Sequence, residues 1–139
     1  MPGEAPPVTV GEFAGRRCAS SGSPWEPVVG YSRAVRAGDV IAVSGTVGLN
    51  ADRSYPETLA EQTRRALEII QHAVEALGGT LAHVIRTRIF IIDISKAAEA
   101  TKVHGEFFRD IRPACSMVQV SRLIDDRALI EIEADALVV

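Results

Sequence analysis

From residue 130 to residue 135 the chain alternates Ile, Glu, Ile, Glu, Ala and Asp without a break. That alternation has the period of a β-strand, whose side chains point to opposite faces in turn. One face of such a strand is apolar. The other gathers Glu131, Glu133 and Asp135. The strand cannot stand alone, because its apolar side needs a cover and its backbone needs neighbouring strands. A second strand of similar kind precedes it. Residues 114–120 place Cys115, Met117 and Gln119 on one face, and residues 122–127 form the turn between the two strands.

The covering layer is also visible. Thr58, with Glu61 three residues later, has the spacing of a capping box. Leu59, Ala66, Ile69, Ile70, Ala73 and Leu77 then recur at helical spacing, until Gly78 and Gly79 stop the helix. A second helix starts at Asp93 or Ser95, carries Ala100, Val103 and Phe107 on its apolar face, and cannot continue past Pro113. Residues 84–94, rich in β-branched side chains, are a predicted strand between the helices. Toward the N-terminus, residues 15–20 are a short strand. Residues 31–36 and 40–44 are a hairpin turning at Gly38 and Asp39, and residues 45–56 are loop.

The order is therefore β-β-β-α-β-α-β-β. It predicts an α+β two-layer sandwich, with a mixed sheet of about six strands and two helices on one face. The uncovered face is expected to carry Arg86, Arg88, Gln119, Glu131 and Glu133 beside Met117 and Leu129. Phe90, Ile92 and Ile94 would extend it as an apolar surface for another subunit.

Composition excludes several classes. The 139 residues suit one domain, with residues 1–12 a flexible, Pro-rich leader that lacks the basic start and apolar stretch of a signal peptide. A net charge of −3 gives no footprint for nucleic acid or an anionic membrane. No apolar run approaches the roughly 18 residues of a membrane span. Cys18 and Cys115 have neither framework nor metal spacing, which points to reduced thiols in the cytoplasm. No histidine lies at ligand spacing from the acids, so no metal is expected. The Gly-Thr-Val-Gly run at 45–48 lacks the lysine of a phosphate loop, and no cofactor is implied.

Several segments, taken in order, carry a resemblance. Residues 30–35 read G-Y-S-R-A-V, 43–45 V-S-G, 61–64 E-Q-T-R, 86–90 R-T-R-I-F, 113–116 P-A-C-S and 130–134 I-E-I-E-A. The set resembles the RidA/YjgF/YER057c family, also called the endoribonuclease L-PSP family, from about Tyr31 to the C-terminus. The resemblance implies a chorismate-mutase-like fold and a homotrimer with three inter-subunit clefts for small metabolites. It implies neither metal nor organic cofactor. Deaminase members hydrolyse 2-imino acids to 2-oxo acids and ammonia. In them the arginine of P-A-R-S grips the substrate carboxylate, the first glutamate of E-I-E places the attacking water, and the tyrosine of the Y-S motif lines the cleft.

Carried over, Glu131 and Tyr31 keep the glutamate and the tyrosine, but Cys115 stands where the arginine belongs. A thiol has no fork of charged donors. Losing such a contact to a buried partner typically costs about 2–5 kcal/mol. Arg33, where the family often has glutamine, and Arg112 are the candidates to replace it. The expected cleft is thus Glu131 as the catalytic group, with Tyr31, Cys115, Met117, Arg33 and His104 binding substrate. Three functions stay open: hydrolysis of an imine or enamine, non-catalytic binding or sensing of a metabolite, and RNA cleavage, which the acidic balance disfavours. Cys115 is either a half-buried thiol beside Met117 or, with His104 as base, a nucleophile. Glu131, Glu133 and Asp135 could work as paired acid and base or as charge partners of Arg86 and Arg88; the favoured reading keeps Glu131 in the cleft, makes Glu133 structural and sets Asp135 nearer the rim. Trp25, in a loop outside the motifs, either roofs the cleft or anchors the domain edge.

Overall fold

The structure is a computed structural model and describes residues 7–139. Its strands are β1 (Thr9–Phe13), β2 (Arg16–Ser20), β3 (Ala34–Ala37), β4 (Val40–Val47), β5 (Val84–Ile91), β6 (Ala114–Gln119) and β7 (Ile130–Leu137). Its helices are α1 (Trp25–Val29), α2 (Leu59–Ala76) and α3 (Ala97–Phe108). The strands form one sheet in the order β1-β2-β3-β4-β7-β5-β6. Only β5 and β6 run parallel, joined through α3. The α+β class is as expected, with one more strand and a short extra helix. The leader expected over residues 1–12 lies outside the described residues up to residue 6, and from Thr9 it is the edge strand β1. The loop expected from residue 45 also gives way, because β4 continues to Val47.

The local reasons for the helices are those of the sequence. Thr58 Oγ1 accepts from the Glu61 amide at 3.1 Å, and the Glu61 carboxylate accepts from the Thr58 amide at 3.3 Å. The entry to α3 is fixed by Asp93, whose carboxylate accepts from the Ser95 amide and hydroxyl.

Sheet register decides which side chains share a face. One row runs Ala19, Ala34, Val43, Ala134, Thr87, Cys115 across β2, β3, β4, β7, β5 and β6. Its first five members are buried, because α2 and α3 cover this face. Small residues in the row let α2 approach closely. The next rows, Ile132 with Ile89 and Met117, and Ile130 with Ile91 and Gln119, complete the core side. Each fully buried isoleucine there contributes roughly 1.5–3 kcal/mol.

Met117 and Gln119 therefore face the helices, not the open side expected for them. Met117 packs on the core, and Gln119 accepts from the Ile94 amide. The open face keeps Glu131, Phe90 and Val118 in one row, and Glu133, Arg88 and Ser116 in the next. Arg88 donates to Glu133 and Asp135, each at 3.2 Å, so these two acids are charge partners of β5. Cys18 and Cys115 sit on β2 and β6, far apart across the sheet, and both are free thiols.

Candidate functional site

The site forms where β4 ends and β7 begins, around an irregularity in their pairing. Val43 pairs with Ala134 and Thr46 with Ile132, so Ser44 and Gly45 together oppose Glu133 alone. A bulge of this kind re-aims the groups around it. Here it turns the Gly45 carbonyl toward Arg33 and lays the Gly45 α-carbon beneath the Glu131 carboxylate.

Arg33 arrives from the loop that precedes β3. That loop is folded on Glu26 in α1, whose buried carboxylate accepts from the Ser21 amide, the Ser21 hydroxyl and the Ser23 amide at 3.1–3.2 Å. Gly30, at φ 85°, ends α1 and returns the chain to Tyr31. Arg33 is 7% exposed. Its Nε donates to Ser21 Oγ at 3.2 Å, and its Nη1 donates to the Gly45 carbonyl at 2.6 Å and to Thr46 Oγ1 at 3.1 Å. Its Nη2 donates to the Tyr31 hydroxyl at 3.2 Å. Glu26, Ser21, Arg33 and Tyr31 thus form one hydrogen-bonded chain.

Tyr31, Arg33 and Glu131 line a pocket of about 370 Å³, with Ser21, Trp25 and Tyr55 on its walls. Glu131 is half-buried. Burial raises its pKa; Arg33 opposes that rise and Glu133 adds to it. Arg127 closes one side. It is held by both oxygens of Asp125 and stacks over Tyr55 at 4.8 Å. Those contacts hold Asp125 down at about 2, with the Arg127 hydrogen bonds the main cause. Around a space that fits a small metabolite, the arrangement offers the carboxylates of Glu131 and Asp125, the phenols of Tyr31 and Tyr55, and several guanidinium charges, that of Arg33 among them.

The other expected site residues do not reach this pocket. Cys115 lies two strands from Glu131 and three residues along, on the opposite face of the sheet. That is about 10 Å across and about 10 Å along the strands. Met117 follows it on the same face. His104 of α3 contacts Thr87 Oγ1 through Nε2 at 2.9 Å and rests on Phe108 at 4.7 Å between ring centroids. Burial lowers its pKa, which leaves it neutral near pH 7. Thr87 stands between His104 and Cys115 in the register. Arg112 is exposed at φ 61° just beyond α3 and takes no part in the pocket. Trp25, 57% exposed, lines the pocket mouth. Among the described residues no cluster of three or more His, Cys, Asp or Glu side chains is arranged to hold a metal ion.

Sequence reasoning missed Ser21, Gly45, Thr46 and Tyr55. Two signals were present. The S-P-W-E run at 23–26 has capping-box spacing and marks α1. A glycine within the β-pattern at 40–47 marks a bulge.

The profile of the endoribonuclease L-PSP family matches residues 22–138, the part of the chain that holds strands β3 to β7, all three helices and most of the pocket lining. The chain belongs to this family, the RidA/YjgF family. A solved family member from Mycobacterium tuberculosis, of the YjgF/YER057c/UK114 group, is 49% identical and superposes with a TM-score of 0.80, over 86% of this chain and 96% of that one. The Escherichia coli YjgF structure is 32% identical with a TM-score of 0.73, over 77% and 87%. The 3-aminoacrylate deaminase RutC of Acinetobacter baylyi is 37% identical over 112 residues, covering 79% of this chain and 88% of RutC. The RidA/YjgF fold therefore accounts for the sheet from β3 onward. The β1 strand and the Ser21 end of the Arg33 chain fall at or before the N-terminal limit of the family match.

Proposed function

We propose that this RidA/YjgF protein is a homotrimer that binds a small metabolite in clefts between subunits and hydrolyses an imine or enamine there. The observation that carries this reading is the convergence of Tyr31 and Glu131 on one metabolite-sized pocket. RutC, a relative that acts as a 3-aminoacrylate deaminase, belongs to the same reaction class. The trimer is supported by the division of the expected site residues. Tyr31, Arg33 and Glu131 lie by the inner strands β3, β4 and β7, while Cys115 is exposed and Met117 partly buried on the edge strand β6. A second copy that brings its β6 edge to the pocket would join the two groups. An intracellular setting suits two free thiols.

In this reading Glu131 takes a proton from water as the oxygen adds to the C=N carbon. It gives that proton to nitrogen, forming a carbinolamine, then takes the hydroxyl proton and delivers it to nitrogen as the C–N bond breaks, so that a carbonyl compound and ammonia leave. Glu131 suits the base role because it is half-buried, and its raised pKa lies nearer the working pH than that of an ordinary glutamate. Tyr31 offers a donor to the substrate. No step requires a metal or an organic cofactor.

The test is release of oxo acid and ammonia from imines made in situ by an amino-acid oxidase or dehydratase. Loss of the signal in Glu131→Gln supports the proposal, and background rates with the wild-type protein overturn it. Cys115 favours a second reading, a non-catalytic binding or sensing module, because the carboxylate-gripping arginine is absent at that position. Ligand-dependent thermal stabilisation without turnover identifies that case. RNA cleavage has weaker support. The chain is acidic overall, and the pocket is the size of a metabolite.

A further inference from the structure

We propose that Arg33 is a positioning residue that fixes the Tyr31 hydroxyl as a hydrogen-bond donor beside Glu131, and that it does not grip the substrate carboxylate. The proposal rests on the metabolite-pocket reading above and removes Arg33 as a replacement for the arginine missing at Cys115. A guanidinium has five N–H groups. Four of them are engaged by Ser21, Gly45, Thr46 and Tyr31, all neutral acceptors. The single N–H left, on Nη2, cannot form the two parallel bonds by which arginine holds a carboxylate.

What the geometry gives instead is a fixed tyrosine. Arginine only donates, so the Tyr31 oxygen is the acceptor in its contact with Nη2. The phenol proton is then directed elsewhere. The hydroxyl makes no hydrogen bond to an acceptor among the described residues, and Tyr31 lines the pocket. The Tyr31 O–H, held from behind by Arg33, is thus free to donate to an acceptor atom in the pocket. A carbonyl, imine or hydrated-imine centre supplies such an atom. Arg33 also places its charge beside Glu131, anchored to the same bulge on which the Glu131 carboxylate lies. The Ser21–Glu26 contacts hold the far side of the guanidinium, so the loop at 21–26 and Arg33 act as one unit.

The experiment compares wild type with Arg33→Gln and Arg33→Lys in two readouts. The first is a 13C NMR titration of the Glu131 carboxyl, assigned through Glu131→Gln. The charged or titratable groups around it are Arg33, Arg53, Arg65, Glu133, Tyr31, Tyr55, Asp125 and Arg127. The Glu131 midpoint is expected to rise in Arg33→Gln and to stay near wild type in Arg33→Lys; an unchanged midpoint in Arg33→Gln overturns the proposal. The second is calorimetric binding of 2-oxobutanoate and its neutral amide, 2-oxobutanamide. Arg33→Gln is expected to weaken both by a similar factor, about tenfold, the effect of one hydrogen bond. A loss confined to the acid shows a carboxylate grip and overturns the proposal. If neither probe binds wild type, the metabolite reading fails while the titration still decides the role of Arg33. If Arg33→Gln does not fold, Arg33→Lys keeps the charge but cannot reach four acceptors. It is expected to weaken acid and amide alike, and a loss for the acid alone again overturns the proposal.

Discussion

The carboxylate of Glu131 rests on the α-carbon of Gly45. A β-carbon at position 45 would sit 2.9 Å from Glu131 Cδ and 3.1 Å from each of its oxygens. Glycine is needed here for space, since its backbone is not left-handed. The Gly45→Ala protein is therefore expected to fold with the Glu131 side chain displaced. Overpacking of this kind costs roughly 1–3 kcal/mol. Urea denaturation should show that loss, and imine hydrolysis should fall as far as in Glu131→Gln. Full activity in Gly45→Ala would show that the position of Glu131 does not matter for the reaction.

Glu131 also ties stability to pH. Burial raises its pKa in the folded protein above its value in the unfolded chain, with Arg33 offsetting part of the effect. The folded state then holds the proton more tightly. The stability this group contributes is complete below the unfolded pKa, near 4.3 in a typical glutamate, and is lost as pH rises through the folded value. Glu131→Gln carries no such loss. Relative to wild type, the variant is expected to gain stability between about pH 4 and pH 7. Urea melts at the two pH values check the sign, and a stability difference independent of pH would refute it.

Gln62 is a buried amide that joins three strangers in sequence. Its Nε2 donates to the Pro56 and Arg127 carbonyls at 3.0 Å each, and its Oε1 accepts from the Leu129 amide at 2.8 Å. It thereby fixes the segment that leads into β7 and Glu131. Gln62→Leu keeps the bulk and removes all three bonds. Each buried polar group left unpaired costs about 1–3 kcal/mol, so a total loss of roughly 3 kcal/mol or more is expected. Equilibrium denaturation measures it, and a loss under 1 kcal/mol would show that water replaces the bonds.

Gln62 also marks the limit of what the sequence tells. Periodicity revealed α2, α3, β6 and β7, because each buries one continuous face and so writes a repeat into the chain. The Thr58–Glu61 cap was legible for a similar reason, being a local pair at fixed spacing. The assignment of Met117 and Gln119 to the open face failed. Alternation says which residues share a face but not which face meets the helices, and that depends on the parallel pairing of β6 with β5. Tyr31 and Glu131 were found through the family motifs. Ser21 and Gly45 were not, since their roles depend on a bulge and on contacts between residues far apart in the chain. The edge strand β1 has every side chain exposed and so carries little pattern to read.

Val118 tests the oligomer. It lies on the open face of β6 and is 49% exposed in one chain. In an isolated subunit Val118→Lys should change stability by no more than about 0.5 kcal/mol, as for most surface substitutions. In a trimer closed through this face, it would bury an unpaired charge. Sedimentation velocity is expected to show a trimer for wild type and smaller species for the variant. A wild-type monomer at micromolar concentration would contradict the trimer, and an intact trimer in Val118→Lys would move the interface elsewhere.

Cys115 is the position where restoring a residue says more than removing one. Its side chain stands at the exposed end of the helix-side row, next to Thr87 on the edge strand. A longer side chain there projects past the edge without displacing the core, so Cys115→Arg is expected to fold normally. If a neighbouring subunit's pocket meets this edge, the new guanidinium supplies a fork at the position where Cys115 has none. A charged hydrogen bond contributes about 1.5–3 kcal/mol, which corresponds to a gain of roughly tenfold to a hundredfold in kcat/KM for imines that bear a carboxylate. Imines without a carboxylate should gain nothing. Rates for both kinds, measured side by side by carbonyl release, decide the matter. An equal change for both would mean that Cys115 lies outside the cleft, and the division of the site between two subunits would have to be abandoned.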